Sequence, residues 1–216
     1  MGLTEKKLDK ISLSTANILT AEIGVLEERV NWLTDNLNLN ENDIVKIVQK
    51  QPYILSFRSD INLDPKLDYL QNRLHLDKKS LQKMIMSYPS VLCRGTEENI
   101  EPKLDWLQQR LDLDDASLSK MIQLMPSLLS LNVDTNIEPT INFYVGVLGE
   151  GEALAFLQQD PIMITYSLEK RLKPRIEQAR DAGMIIDTKC LQQIGKLTND
   201  KWQKSLAAQV KKMVNN

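Results

Sequence analysis

Histidine occurs once in 216 residues, at His75, and cysteine twice, at Cys93 and Cys190. One imidazole cannot build a catalytic triad, and two cysteines 97 residues apart with no partner at metal-ligand spacing offer neither a disulfide framework nor a zinc site. The eight glycines form no G-x-G-x-x-G or G-x-x-x-x-G-K-[ST] arrangement, which removes the common phosphate cradles. Long apolar runs are missing too. The longest uncharged stretches, such as residues 121–133, are broken by proline and fall short of the roughly 20 apolar residues of a membrane span, so no membrane partner is expected. The first 30 residues mix acids with lysines and lack a continuous apolar run. They read as neither secretory signal nor transit peptide, so the chain reads as a mature or trimmed form, and its cysteine usage fits a reducing compartment. Nor does one charge dominate: 27 basic against 29 acidic side chains leave −2, which argues against a uniformly basic nucleic-acid binder. What remains, 42% apolar and 26% charged, is the balance of a soluble globular chain.

What the sequence does have is a repeat. Pro52, Pro89, Pro126 and Pro161 are 37, 37 and 35 residues apart, and Pro65, Pro102, Pro139 and Pro174 repeat those spacings. All eight prolines fall in these two series, the second trailing the first by 13 residues each time. Apolar positions keep the phase: Leu55, Leu92, Leu129 and Ile164 three residues after the first proline, and Leu63, Ile100, Ile137 and Leu172 two before the second. Glu28 takes the proline slot one period upstream, with Val30, Trp32, Leu33 and Leu37 in the matching apolar slots. The chain therefore reads as one elongated repeat domain over 1–216, with a half unit at 4–27, in which Ile18 and Leu26 keep phase. Units follow at 28–64, 65–101, 102–138, 139–173 and 174–216, the last losing register after residue 195.

Each unit reads as two helices. The second-series proline suits a first helical position, with Asp64, Glu101 or Glu138 before it near the positive end of the dipole. Asn40, Asp77, Asp114 and Asp187 stand four residues before Ile44, Leu81, Leu118 and Leu191, which is N-cap chemistry in constant phase. The second helix carries a one-sided stripe (Leu81, Met84, Ile85; Leu118, Met121, Ile122), and the first-series proline ends it. The 12-residue connector that follows has room for one short helical turn. No segment alternates with period two. The expected fold is all-α, an α-solenoid of about 37-residue helical repeats.

No residue qualifies as catalytic, and neither metal nor cofactor is expected. His75 ends a first helix, where a solvated or partly packed role fits better than a base, and G-E-G at 149–151 reads as a shortened turn. Trp32, Tyr69, Trp106 and Phe143 form an aromatic ladder suited to packing between repeats, or to stacking on bases. Arg29, Lys66, Lys103 and Arg175 form a basic ladder just after the second-series slot, with Thr140 the exception, and Lys46, Lys83 and Lys120 repeat in the second helix. Rows of cations suit a phosphate backbone, although any solvated repeat face shows rows of both signs. By segment, net charge runs from −3 over 102–138 to +4 over 174–216. The positive end holds Arg171, Lys173, Arg175, Arg180, Lys196, Lys201, Lys204, Lys211 and Lys212, and there Arg171, Lys173 and Arg175 are the expected phosphate contacts on the surface, with Arg180 beside them.

A unit of P-x-x-L, about ten residues, then I-x-P-K-L-x-x-L resembles the mTERF family, the mitochondrial transcription termination factor-like proteins. The stretches S-L-E-K-R-L-K-P-R at 167–175, with Gly183 after it, and T-N-D-K-W-Q-K-S-L at 198–206 are the best local matches. The resemblance implies antiparallel helix pairs with a short third helix, stacked into a left-handed superhelix. It also implies a non-enzymatic role in organellar gene expression, in mitochondrion or chloroplast, through transcription termination or regulation or RNA processing. The implied partner of a monomer is double-stranded DNA or RNA. The alternative is a scaffold subunit that docks a protein partner in an organellar complex, which the near-neutral charge favours.

Overall fold

The computed structural model describes residues 23–214, and every regular element among them is helical. Helix pairs recur: α1 (Ile23–Leu37) with α2 (Glu41–Lys50), α3 (Asp64–Arg73) with α4 (Lys78–Ser87), and α5 (Glu101–Arg110) with α6 (Asp115–Leu124). Next come α7 (Glu138–Leu148) with α8 (Glu150–Gln159) and α9 (Lys173–Asp181) with α10 (Thr188–Lys196), and α11 (Asn199–Val214) closes the order. The half unit expected over 4–27, Ile18 included, lies for the most part outside the described residues; its residue Leu26 sits half-buried inside α1.

The caps expected from the sequence form. Asn40, Asp77, Asp114 and Asp187 are extended N-cap residues, and each side chain accepts from the backbone N–H three residues on. First helices end in a left-handed residue, with φ of 49° at Asn38, His75 and Asp112 and 83° at Gly149, all 37 residues apart. The only histidine of the chain is thus an exposed helix terminator, in a conformation that Asn, Asp and His tolerate better than other side chains.

The connector differs from its expected form. It holds two short helices per repeat, not one: a 3-10 turn begins at the first-series proline (Pro52–Ser56, Pro89–Cys93, Pro126–Ser130, Pro161–Thr165). A widened π turn follows (Ser59–Leu63, Thr96–Ile100, Val133–Ile137, Leu168–Leu172) and runs straight into the next α-helix. The widening has a cause in the second-series proline, whose ring would strike the carbonyl four residues back in a regular α-turn. Leu63 and Ile100 are already right-handed helical, so α3 and α5 have no free N-terminus for an acid to complement. Asp64 instead accepts a 2.7 Å hydrogen bond from Trp32 Nε1 of the preceding repeat.

Contacts group the chain into two compact units with their boundary between Ser130 and Leu131. In the first, the stripes foreseen for the second helices are buried, with Ile47, Ile85, Leu118 and Ile122 fully enclosed, as is Leu104 of the first helix α5. Arg73 ties two of its repeats, donating to Asp105 at 2.9 Å and to Gln108 at 2.6 Å. In the second unit, Tyr144 is enclosed against Phe143 and Phe156, ring centroids 5.3 and 5.5 Å away. There α11 returns Trp202 to the core, its Nε1 donating to Gln178 at 2.7 Å. Gly195 lets α10 come close: a Cβ on it would stand 2.6 Å from Met163 Cε.

Candidate nucleic-acid interface

The basic ladder points inward. Arg29 donates to the carbonyl of Leu55 at 3.0 Å, Lys66 to that of Leu92 at 2.8 Å and Lys103 to that of Leu129 at 2.7 Å, each reaching 26 residues ahead. Each cation thereby satisfies a carbonyl at the end of the 3-10 turn that closes its own repeat. Lys66 and Lys103 are only 6% and 7% exposed, and burial holds both ammonium groups below their usual range. Where the ladder breaks at Thr140, the Tyr144 hydroxyl donates to the Met163 carbonyl instead, at 3.3 Å. Arg175, 5% exposed, ends the series: it donates to Ile194 and Leu197 carbonyls at 2.7 and 2.8 Å and to Asn199 at 2.6 Å, over the Trp202 ring.

The expectation of an open, phosphate-facing position is therefore corrected for Lys66, Lys103 and Arg175, which are enclosed and donate to the protein's own carbonyls. Arg29 is half-buried and bonded in the same way. Arg171 is also only partly open, donating to the Gly195 carbonyl at 2.9 Å and lying 5.0 Å from the Tyr166 ring centroid. Of the residues expected at the interface, Lys173 and Arg180 remain on the surface. They are seven residues apart on α9 and share a face, Lys173 pairing with Glu169 at 2.5 Å.

The aromatic ladder is packing. Trp32 is buried and bonded to Asp64, while Tyr69, Trp106 and Phe143 are half-buried. Burial, reinforced by the Glu101 carboxylate, pushes the Tyr69 hydroxyl up to about 12.

The open cationic surface lies elsewhere. On α11, Lys201, Lys204 and Lys211 are exposed at spacings that place them on one helical stripe, and no acid follows Asp200 in the chain. The charge count includes these lysines, but the loss of register after residue 195 hides their stripe. Lys46, Lys83 and Lys120 are exposed on the second helices of the first unit, Lys46 held by Asp43 at 3.0 Å. In the second unit a pocket of about 480 Å³, lined by Thr135, Asn136, Thr140, Thr165 and Tyr166 among others, occupies the place where the ladder lacks its cation.

Capped helix pairs closed by 3-10 and π turns, repeating every 37 residues, define a helical-repeat protein of the solenoid class. The model of the mTERF family matches residues 1–202, and the chain belongs to that family. No curated protein matches the sequence. Family members are helical-repeat proteins associated with nucleic acids in organellar gene expression and are generally non-enzymatic. No helix among the described residues is long and apolar enough to cross a membrane.

Proposed function

We propose that the protein is a non-catalytic nucleic-acid-binding factor of organellar gene expression, acting as a monomer in mitochondrion or chloroplast on double-stranded DNA or RNA in transcription termination or regulation or in RNA processing. The observation that carries this reading is the stripe Lys201, Lys204 and Lys211 on α11, with Asp200 the one acid of that helix, within the segment of charge +4 and in the same compact unit as the exposed Lys173 and Arg180 of α9. Exposed lysines take phosphates by releasing condensed counterions, so affinity should fall steeply with salt. Family membership supports the ligand class.

The test is a titration of duplex DNA and duplex RNA at two salt concentrations. Changing Lys201, Lys204 and Lys211 together to Ala should lower the salt slope by up to about three charge units while leaving the helical spectrum unchanged. A second reading, a scaffold for a basic protein partner, is favoured by one observation: the third repeat, residues 102–138, carries −3. Absence of nucleic-acid binding even near about 50 mM salt would select it.

A further inference from the structure

Phe57, Arg94 and Leu131 are 37 residues apart and share one slot, just after the 3-10 turn. In the first case the slot shields a buried cation, the Phe57 ring centroid lying 5.6 Å from Lys66 Nζ. One repeat on, a guanidinium replaces the ring, and the counterpart of Lys66 is Lys103. Arg94 adds its charge to burial in holding the Lys103 ammonium below its usual range. Lys103 donates only to neutral acceptors, the Leu129 carbonyl and, at 3.2 Å, Asn99 Oδ1. The Arg94 side chain makes no hydrogen bond or ion pair among the described residues, and its Nε is buried without a partner.

Arg94 lines a pocket of about 440 Å³ with Gln51, Tyr53, Ser90, Cys93, Gly95 and Asn99. The wall is neutral apart from the guanidinium: Ser90 donates to Gln51 Oε1 at 3.1 Å and Gln51 Nε2 to Cys93 Sγ at 3.3 Å. A carboxylate, that of the exposed Glu98, lies against Gly95 at the pocket's edge, without pairing with Arg94. A guanidinium with a buried, unpartnered N–H in an otherwise neutral wall suits an anionic acceptor, and its fork matches the oxygens of a phosphate two at a time. The volume is in the range of small-ligand sites and exceeds what a bare phosphate fills, so the ligand carries its phosphate on a larger body.

We propose that this pocket binds a phosphate group through the Arg94 guanidinium, deepening the nucleic-acid reading on which it rests by adding a contact in the N-terminal unit. Its phosphate comes from a nucleic-acid backbone or from a free phosphate ester, and the two arms of the test separate these sources. In the first arm, inorganic phosphate is titrated into the full chain while the Arg94 Nε–H cross-peak is followed by NMR. A saturable shift is expected. It should saturate at lower phosphate in Glu98→Gln, while phosphate binding read by calorimetry should be lost in Arg94→Gln and weakened in Arg94→Lys, which keeps the charge without the fork.

In the second arm, a labelled oligonucleotide is bound by wild type and Arg94→Gln at several salt concentrations. A backbone source predicts about tenfold weaker binding and a salt slope smaller by about one. If phosphate saturates the pocket and Arg94→Gln leaves oligonucleotide binding unchanged, the site stands and its ligand is a free phosphate ester. If the wild type binds phosphate here but no nucleic acid at all, the pocket stands and the nucleic-acid reading falls. If neither phosphate nor oligonucleotide moves the Arg94 peak, the proposal is overturned, whatever nucleic acid binds elsewhere.

Discussion

Lys66 Nζ lies 2.8 Å from the carbonyl oxygen of Leu92, 26 residues ahead, at the end of the turn that closes its own repeat. The buried cation belongs to the fold and not to the ligand. Lys66→Met keeps the stem and removes the donor, leaving that carbonyl without it. Stability should fall by about 1–3 kcal/mol in chemical denaturation, with nucleic-acid affinity unchanged. A variant as stable as wild type but weaker in binding would return Lys66 to the interface.

Arg175 and Lys173 are two residues apart and should behave in opposite ways. Arg175→Ala strips donors from two carbonyls and Asn199 and should cost about 2–4 kcal/mol while leaving the salt slope of binding intact. Lys173→Ala should change stability by no more than about 0.5 kcal/mol and lower the slope by about one. Thermal melts and salt-dependent titrations of the two variants read both quantities.

His75 holds φ at 49°. Replacing it by Gly, which enters this region freely, should stabilise by about 0.5–1 kcal/mol, and His75→Val should destabilise by about 1–2 kcal/mol. Equal melting temperatures for the two variants would contradict the terminator role.

Gly195→Ala drives a methyl into Met163 and Tyr166 and should cost about 1–3 kcal/mol. Combined with Met163→Ala, the loss should be less than the sum of the single losses by more than about 0.5 kcal/mol. Strict additivity in this double-mutant cycle would mean the two residues do not touch.

The Tyr69 hydroxyl, pushed up to about 12 by burial and by Glu101, sits above its ordinary 10. A raised value means that the neutral form is favoured in the folded chain. Its contribution to stability is full below about pH 10 and is lost as pH climbs toward 12. Tyr69→Phe should flatten the dependence of stability on pH in that window, followed by denaturant midpoint beside tyrosinate absorbance.

The proline series and the Asn and Asp caps made the repeat and its helix pairs legible, because each is local chemistry in constant phase. The π turn was not legible: the proline's clash is local, but its relief by widening depends on where the chain has come from. The basic ladder was visible yet its direction was not, since a row of cations has the same period whether it faces phosphates or its own carbonyls. Arg94 escaped notice because its slot is otherwise apolar, held by Phe57 and Leu131, and single-repeat exceptions carry no period.

The 26-residue reach from cation to carbonyl also acts as a gauge of length. A unit that gained or lost residues between these two ends would leave donor and acceptor out of step, so length and fastening must change together. The fourth unit shows such a pairing: its proline spacing is 35 instead of 37, its turn is cut to G-E-G, and Thr140 stands where a cation would, with Tyr144 holding the Met163 carbonyl from another turn of the helix. Any engineered repeat grafted into this chain would have to bring its own fastener cut to its own length.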